Sequence, residues 1–262
     1  MLAVPQEQPL VEADMTKPTL IIDGDIIAYK ASASVEKSVN WGEGIWTVHS
    51  FEEEGIAAME TQIKNLIDLL NGGETIFALS DGRSFRYDLY PAYKGNRKDQ
   101  RKPLILQYLK EHLLENYRTY LRPRLEGDDI LGILMTSKTI VKGDKIQVSI
   151  DKDQRCIPGK FYDQGRREFR DISVEEADYF HLYQTLIGDT TDGYPGCPGI
   201  GPKTAERLLE QHGAKWSTVA NAYEKAGLTE ADALVQARVA RILRNTDFDF
   251  EQKEPILWMP SR

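Results

Sequence analysis

Acidic residues in this chain cluster where a strand is predicted to end or a helix to begin. Most of them follow a short aliphatic or β-branched run, which is the pattern of a buried parallel strand. Ligands of such sheets bind beyond the carboxyl ends of the strands, so we expect these acids to converge on one edge. The acids are Asp23 and Asp25 in LIIDGDII, Asp81 in FALSDGR, Glu126, Asp128 and Asp129 in LEGDDILG, Asp151 and Asp153 in VSIDKDQ, and Asp189 and Asp192 in LIGDTTDG.

Carboxylates that converge raise one another's pKa values unless cations neutralise them. Their hard oxygen atoms are ligands that suit Mg²⁺ or Mn²⁺. A single pair such as Asp189 and Asp192 is better explained as a helix cap or a solvated turn. The joint placement of all the pairs favours metal binding, and the sequence therefore predicts a metal-dependent enzyme.

The most basic stretch of the chain, residues 83–102, interleaves Lys and Arg with Phe and Tyr. Such a stretch is often only an exposed loop that keeps a protein soluble. Aromatic faces beside phosphate-binding cations, however, suit single-stranded nucleic acid. Because the acid clusters lie close by in the sequence, we favour the functional interpretation, with Lys94 and Arg97 directed at a phosphate near the metal ions.

The segment GCPGIGPKTAERLL, residues 196–209, predicts a helix, a glycine hairpin and a second helix. It is not a Walker phosphate loop, because Pro202 separates Gly201 from Lys203 and breaks the required spacing. Gly199 and Gly201 allow a tight turn, and Pro202 suits the first turn of a helix. Exposed amides at that helix start can bind a backbone phosphate without reading base sequence. An ordinary helical hairpin is the alternative.

Hydrophobic periodicity places the remaining elements. Strands are predicted at TLIID, TIFALS and KIQVSI, and a hairpin or loop at residues 35–50. Helices are predicted over residues 56–70, 103–117 and 125–140, and a capping box at Ser173 and Glu176 opens another that ends near Ile187. Strands that alternate with helices indicate an α/β sheet domain.

Composition excludes several classes of protein. The chain has 262 residues, 41% of them hydrophobic, and its longest apolar runs are too short to span a membrane. Its first eighteen residues lack the basic and apolar regions of a secretory signal. Cys156 and Cys197 match no metal or redox spacing, so we expect a cytoplasmic protein. The net charge of −8 is unusual for a nucleic-acid enzyme, but the acids are concentrated in the clusters.

Taken together, these motifs resemble the 5′→3′ exonuclease and flap endonuclease family, and in particular its stand-alone phage members. The resemblance runs from about Leu20 to near the C-terminus. It implies a PIN-like, mostly parallel central sheet flanked by helices, with a helical arch and a C-terminal helix-hairpin-helix subdomain. The expected division is a tail at 1–18, a nuclease domain at 19–187 with an arch at about 83–116, and a DNA-binding part at 188–262.

The resemblance also implies site roles and partners. Two Mg²⁺ ions, replaceable by Mn²⁺, would support hydrolysis of DNA from 5′ ends, with flap endonuclease and RNase H-like activity. K⁺ is expected at the hairpin. DNA with a 5′ end, as a duplex, a flap or an RNA–DNA hybrid, is the expected substrate of a monomeric enzyme, and a single-strand-binding or replication protein a further partner. The implied metal ligands are Asp23, Asp81, Glu126, Asp128, Asp129, Asp151, Asp153, Asp189 and Asp192; the catalytic cations are Lys94 and Arg97; the DNA contacts are Arg83, Arg86, Tyr93, Lys98, Gly199, Gly201, Lys203 and Thr204.

Three other functions fit parts of the sequence. A phosphatase of the haloacid-dehalogenase type would use Asp23 as nucleophile and Asp25 as acid and base, but it leaves the later acid pairs unexplained. A compact PIN-type ribonuclease needs neither the glycine hairpin nor so long a chain. A non-catalytic DNA-binding protein would keep the hairpin and the basic stretch without needing the acids.

Overall fold

The computed structural model describes residues 16–97 and 100–260, and secondary structure is given for these ranges. The strands, in chain order, are β1 Thr19–Asp23, β2 Lys37–Gly42, β3 Ile45–His49, β4 Thr75–Leu79, β5 Thr119–Leu121, β6 Lys145–Ser149, β7 Gly159–Asp163, β8 Glu168–Ile172, β9 Phe248–Asp249 and β10 Glu254–Pro255. The helices are α1 Gly24–Ser34, α2 Glu52–Leu70, α3 Arg86–Leu89, α4 Leu106–Asn116, α5 Gly127–Thr136, α6 Val174–Ile187, α7 Pro202–His212, α8 Trp216–Lys225 and α9 Glu230–Ala240.

A six-stranded sheet with the order β5-β4-β1-β6-β7-β8 lies at the centre. All neighbouring strands are parallel except β7 and β8, which form an antiparallel pair. β1 lies between β4 and β6, so the carboxyl ends of these three strands meet at one edge. The predicted mostly parallel sheet is confirmed.

Successive side chains of a strand point to opposite faces of the sheet. Both faces carry apolar side chains here, and helices cover both. Leu20 and Ile22 of β1 pack with α1, α2 and α4 on one face. Ile21 packs on the other face with α5 and the segment that follows α9, in a cluster that includes Leu131 and Leu243. β1 is buried on both sides, which explains its continuous apolar sequence.

Helices α6 to α9 enclose a third apolar cluster, which includes Leu186, Leu209 and Tyr223. The loop that joins α6 to α7 contains Gly188 and Gly196, whose backbones are in contact. A Cβ atom on Gly188 (φ +69°) would lie 2.5 Å from the backbone nitrogen of Gly196. The close approach excludes larger residues at both positions.

Several elements differ from the sequence-based expectations. The strands β5, β7 and β8 were not predicted, because β5 has three residues and β7 and β8 carry polar residues on a partly exposed pair. Helix α4 begins at Leu106 instead of Pro103, and α5 ends at Thr136 instead of near Ile140. The hairpin expected at residues 35–50 is present as β2 and β3.

Both cysteines are buried and unpaired, as expected of packing residues. Within residues 16–97 and 100–260, no helix combines the length and the apolar character that a membrane crossing requires.

His181 of α6 is buried at 1% exposure, and its Nε2 atom lies 2.8 Å from the carbonyl oxygen of Ala237. Burial, and then the charge of Arg241, lower the pKa of His181 from 6.5 to about 3. An unfolded chain therefore binds a proton on this residue between these two pH values, while the folded protein does not. The contribution of His181 to the free energy of unfolding therefore decreases as the pH falls below 6.5.

We expect wild-type protein to lose about 2 kcal/mol more free energy of unfolding between about pH 7 and pH 5 than His181→Gln does. Urea denaturation at the two pH values measures the difference. His212→Gln, which alters an exposed histidine, is the matched control and should behave like the wild type. Equal acid sensitivity of His181→Gln and the wild type would contradict the assignment.

Candidate active site

Asp23 marks the centre of the carboxyl edge, where it ends β1 and caps α1. Its carboxylate accepts hydrogen bonds from the Ile26 amide at 3.1 Å and from the Ser149 hydroxyl of β6 at 2.9 Å. Burial, and then the negative charges of Asp25 and Asp151, raise the pKa of Asp23 to about 7. The side chain is therefore held between strands β1 and β6, and no cation of the described residues forms an ion pair with it within 4 Å.

Asp128, in the first turn of α5, faces the same edge. Gln154 donates a hydrogen bond from its amide nitrogen to the Asp128 carboxylate. Burial, and then the charges of Asp151 and Asp23, raise the pKa of Asp128 well above its usual range. Acids from β1, α5 and the loop after β6 therefore repel one another at one place.

Asp151 caps the short 3₁₀ helix Lys152–Cys156 that follows β6, and Asp153 lies in its first turn. The Asp151 carboxylate accepts a hydrogen bond from the Asp153 amide at 2.8 Å, and Gln184 of α6 donates to Asp153 at 2.6 Å. Burial, and then the charge of Asp151, raise the pKa of Asp153 to about 7. Burial is also the largest cause of the raised pKa of Asp151. The pair extends the repelling cluster towards α6.

Asp189 follows α6 and is paired with a cation. Lys152 lies 2.6 Å from its carboxylate, and the amide of Thr191 donates to it at 2.7 Å. Burial raises the pKa of Asp189, but Lys152 and the amides outweigh it and hold the pKa below its usual range. Lys152 stands between Asp151 and Asp153 in the sequence, but its closest partner, Asp189, lies 37 positions later, so no spacing pattern indicated this pair.

The basic stretch lies directly against this acidic edge. Lys94 is 2.5 Å from Glu126 and 3.7 Å from Asp192, and Arg97 is also paired with Asp192. Lys94 has a left-handed backbone (φ +50°), and its amide donates to the Asp192 carbonyl at 2.7 Å. Burial raises the pKa of Glu126, but Arg86 and then Lys94 outweigh it and lower the pKa.

The structure thus brings together seven of the predicted acids from four segments of the chain with two cations of the basic stretch. Among the residues that the structure describes, no three carboxylates already enclose a position for one ion. The donor set nevertheless fits divalent cations, because burial and mutual repulsion raise the pKa values of these oxygen ligands, and a bound cation would favour their charged form. The seven are Asp23, Glu126, Asp128, Asp151, Asp153, Asp189 and Asp192.

Two of the predicted metal ligands lie differently. Asp81 follows β4 and accepts a hydrogen bond from the Arg124 amide at 2.9 Å, a contact that faces the loop before α5. Asp129 is fully buried and forms a two-pronged ion pair with Arg86. Its enclosed position argues against the predicted role as a metal ligand.

Two predicted DNA contacts are also buried. Arg86 is 3% exposed and Tyr93 is 2% exposed. The Tyr93 hydroxyl lies within hydrogen-bonding distance of Glu126, at 2.9 Å, and of Asp192, at 3.0 Å. The structure thus encloses both side chains, which the sequence placed at the DNA surface, and each donates hydrogen bonds to acids of the edge.

The other predicted DNA contacts lie on the surface where the structure describes them. Arg83 is exposed and paired with Asp88 at 2.6 Å. Gly199, Gly201 and Lys203 are exposed, and Thr204 is half-buried. No atom of the described residues comes within 4 Å of the place where a Cβ atom on Gly199 (φ +76°) or Gly201 would lie. Lys98 lies outside the described residues.

Asp25 has partners that the sequence did not indicate. Lys110 of α4 lies 2.6 Å from one of its oxygen atoms, and the Ser80 amide donates to the other at 2.9 Å. Asp25 therefore links α1, α4 and the end of β4 next to Asp23. No spacing pattern identified Lys110, because it lies on a helix predicted only from its apolar residues.

Comparisons with known proteins agree with this geometry. Residues 18–160 match the family model of the 5′-3′ exonuclease N-terminal resolvase-like domain. The exonuclease of Escherichia phage T7 is 30% identical, over 99% of each chain. Among solved structures, a T5 protein co-crystallised with metal ions has a TM-score of 0.66 and 16% identity, and covers 88% of this chain and 90% of that one.

A second T5 structure, the flap endonuclease in a pseudo-enzyme-product complex with DNA and metal ions, has a TM-score of 0.58 and 16% identity. It covers 86% of this chain and 93% of that one. At this identity, both T5 structures support the PIN-like fold, while the family model and the T7 relative establish ancestry. The chain therefore belongs to the 5′-3′ exonuclease family, whose members are nucleases that act on DNA.

Proposed function

We propose that the protein is a Mg²⁺-dependent 5′→3′ exodeoxyribonuclease, with flap endonuclease and RNase H-like activity, that leaves 5′-phosphorylated products. The observation that carries the proposal is the meeting of seven carboxylates with Lys94 and Arg97 at one edge of a parallel sheet. The T5 flap endonuclease complex with DNA and metal ions supports the substrate class and the cofactor class.

Asp128, Asp151 and Asp153 would hold the first ion, and Asp189 and Asp192 the second. Glu126 and Asp23 would orient water molecules, and we retain Asp81 in the same role further along the edge. When bound, two divalent ions supply an activated water and stabilise the leaving oxygen. Mn²⁺ would substitute, because it accepts the same oxygen ligands.

Lys94 and Arg97 would bind the phosphate that is cleaved. Both cations are paired with acids of the edge, Lys94 with Glu126 and Arg97 with Asp192. They lie where they would stabilise negative charge on a phosphate bound at this edge. Arg83 and Lys98 of the same stretch would contact the strand further out.

The glycine hairpin would anchor the duplex away from the acids. Gly199 and Gly201 leave the backbone open to close approach, and the start of α7 presents amides together with Lys203 and Thr204. K⁺ would be held at this hairpin. Because these contacts address backbone phosphates, sequence preference is expected to be slight. The recruiting partner would be a replication or single-strand-binding protein.

Release of nucleotides from a 5′-labelled duplex tests the central proposal. The wild type should release labelled mono- or short oligonucleotides only when Mg²⁺ or Mn²⁺ is present. Asp128→Asn should lower kcat at least about 100-fold, because it removes a charged ligand oxygen, while duplex binding without metal is retained. Asp171→Asn, an exposed change on β8, is the control. Undiminished digestion by Asp128→Asn would overturn the site, and metal-independent digestion would overturn the mechanism.

A second prediction separates charge stabilisation from anchoring. Lys94→Ala should lower kcat by about 100-fold and change the Kd of duplex DNA by less than about threefold, since the cation acts on the reacting phosphate. Single-turnover kinetics and fluorescence anisotropy measure the two quantities. Lys142→Ala, an exposed change at the opposite edge of the sheet, should alter neither. A weakened Kd with normal kcat would make Lys94 a phosphate anchor only.

A third prediction concerns the hairpin. Lys203→Ala should weaken duplex binding to a similar degree for unrelated sequences. It should also reduce the slope of log Kd against log salt concentration by about one. Anisotropy titrations at several KCl concentrations measure both effects, with Lys142→Ala again as the control. An unchanged salt dependence would remove Lys203 from the DNA interface.

A further inference from the structure

Arg86 uses every hydrogen-bond donor that its side chain has. Its guanidinium group has five N–H bonds. Two donate to Asp129 at 2.7 and 2.8 Å, and one to Glu126 at 3.0 Å. The remaining two donate to the carbonyl oxygens of Val239, at 2.9 Å, and Arg241, at 2.6 Å. Because the side chain is also 3% exposed, a DNA phosphate cannot reach it or find a free donor.

Asp129 is saturated in the same way. A carboxylate has about four acceptor positions. Arg86 occupies two of them, and the amides of Glu126, at 3.2 Å, and Leu243, at 3.1 Å, occupy the others. The residue is 0% exposed. A divalent ion could bind here only if the buried ion pair were broken.

The segment after α9 holds the other side of α5. A Cβ atom on Gly132 would lie 2.3 Å from the carbonyl oxygen of Leu243, so the two backbones are in direct contact. The Asn245 amide donates to the Thr136 hydroxyl at 2.7 Å. Helix α5 is therefore fixed between Arg86 and a segment more than a hundred positions later in the chain.

Glu126 and Asp128, which precede Asp129 in the sequence, have contacts on the side of the acidic edge. The second oxygen of Glu126 contacts Lys94, and Asp128 meets the charges of Asp23 and Asp151. Neighbouring acids in one motif thus have two different surroundings: one is enclosed by donors and the others repel further acids at the edge.

We propose that Arg86 and Asp129 are positioning residues, which hold the first turn of α5 so that Glu126 and Asp128 face the metal ions, and that neither binds DNA or metal. This inference rests on the proposed nuclease function, and it reassigns two residues of the acidic and basic motifs.

Direct binding of Mn²⁺, followed by electron paramagnetic resonance without DNA, tests the assignment of Asp129. Asp128→Asn should weaken Mn²⁺ binding at least about tenfold. Asp129→Asn keeps the size of the side chain but loses the two hydrogen bonds that one oxygen accepts, since an NH₂ group cannot accept them. Its Tm should therefore fall, also because Arg86 loses its counter-charge, while the Mn²⁺ affinity of the folded variant should stay within about threefold of the wild type. An equal loss of Mn²⁺ affinity in both variants would make Asp129 a ligand and overturn the proposal.

Kinetics test Arg86. Arg86→Lys keeps the charge but loses the forked geometry, and should lower kcat about tenfold or more with an unchanged Kd for duplex DNA. Arg241→Lys alters a buried arginine that pairs with Asp247, and should lower Tm without changing Mn²⁺ affinity. A raised Kd with normal kcat in Arg86→Lys would restore the DNA contact and overturn the proposal.

If Arg86→Lys does not fold, the Asp129→Asn comparison decides the question alone. The failure of the proposed function gives a different result: the wild type would then bind no Mn²⁺ and release no nucleotide.

Discussion

Electrostatic repulsion among buried carboxylates is the constraint on which the rest of this structure depends. Acids from four segments share one edge of the sheet, and burial strengthens the repulsion because the surroundings screen charge poorly. A fold can retain such a group only if the backbone fixes the side chains and cations lie close by. The buried strands β1, β4 and β6 provide the first condition, and Lys and Arg side chains provide the second.

The cations at this edge fall into two classes. Arg86 is enclosed and makes contacts that are part of the folded core. Lys94, Lys152 and Arg97 are more exposed and pair with acids that other cations can also approach. The first class fixes the geometry of α5, whereas the second compensates charge in a way that ligands can replace. The proposed metal-dependent reaction would need both classes.

Much of this arrangement could be predicted from sequence, and the physical reason differs between elements. β1, β4 and β6 are short apolar runs that end in acids or lead to them, and this local pattern is enough to predict buried strands. β7 and β8 are a partly exposed antiparallel pair, and their stability comes from pairing that no local pattern shows.

The side-chain roles were less accessible to sequence reasoning. Asp128 and Asp129 are adjacent and chemically identical, yet one faces the edge and the other the core, because successive residues of a helix point about 100° apart. Arg86 and Tyr93 stand in a basic and aromatic stretch that is typical of nucleic-acid binding. Only the packing of α3 and the following turn against α5 and α9 shows that these two are internal.

The contacts that order α5 also connect distant parts of the chain. Arg86 bonds to a carbonyl 155 positions later, and Asp129 to an amide 114 positions later. Contacts of such long sequence separation form late, because a large loop must close first. During synthesis, Arg86 and Asp129 therefore cannot complete these contacts until the segment after α9 has left the ribosome, and a nascent or prematurely ended chain lacks the bonds that hold the first turn of α5.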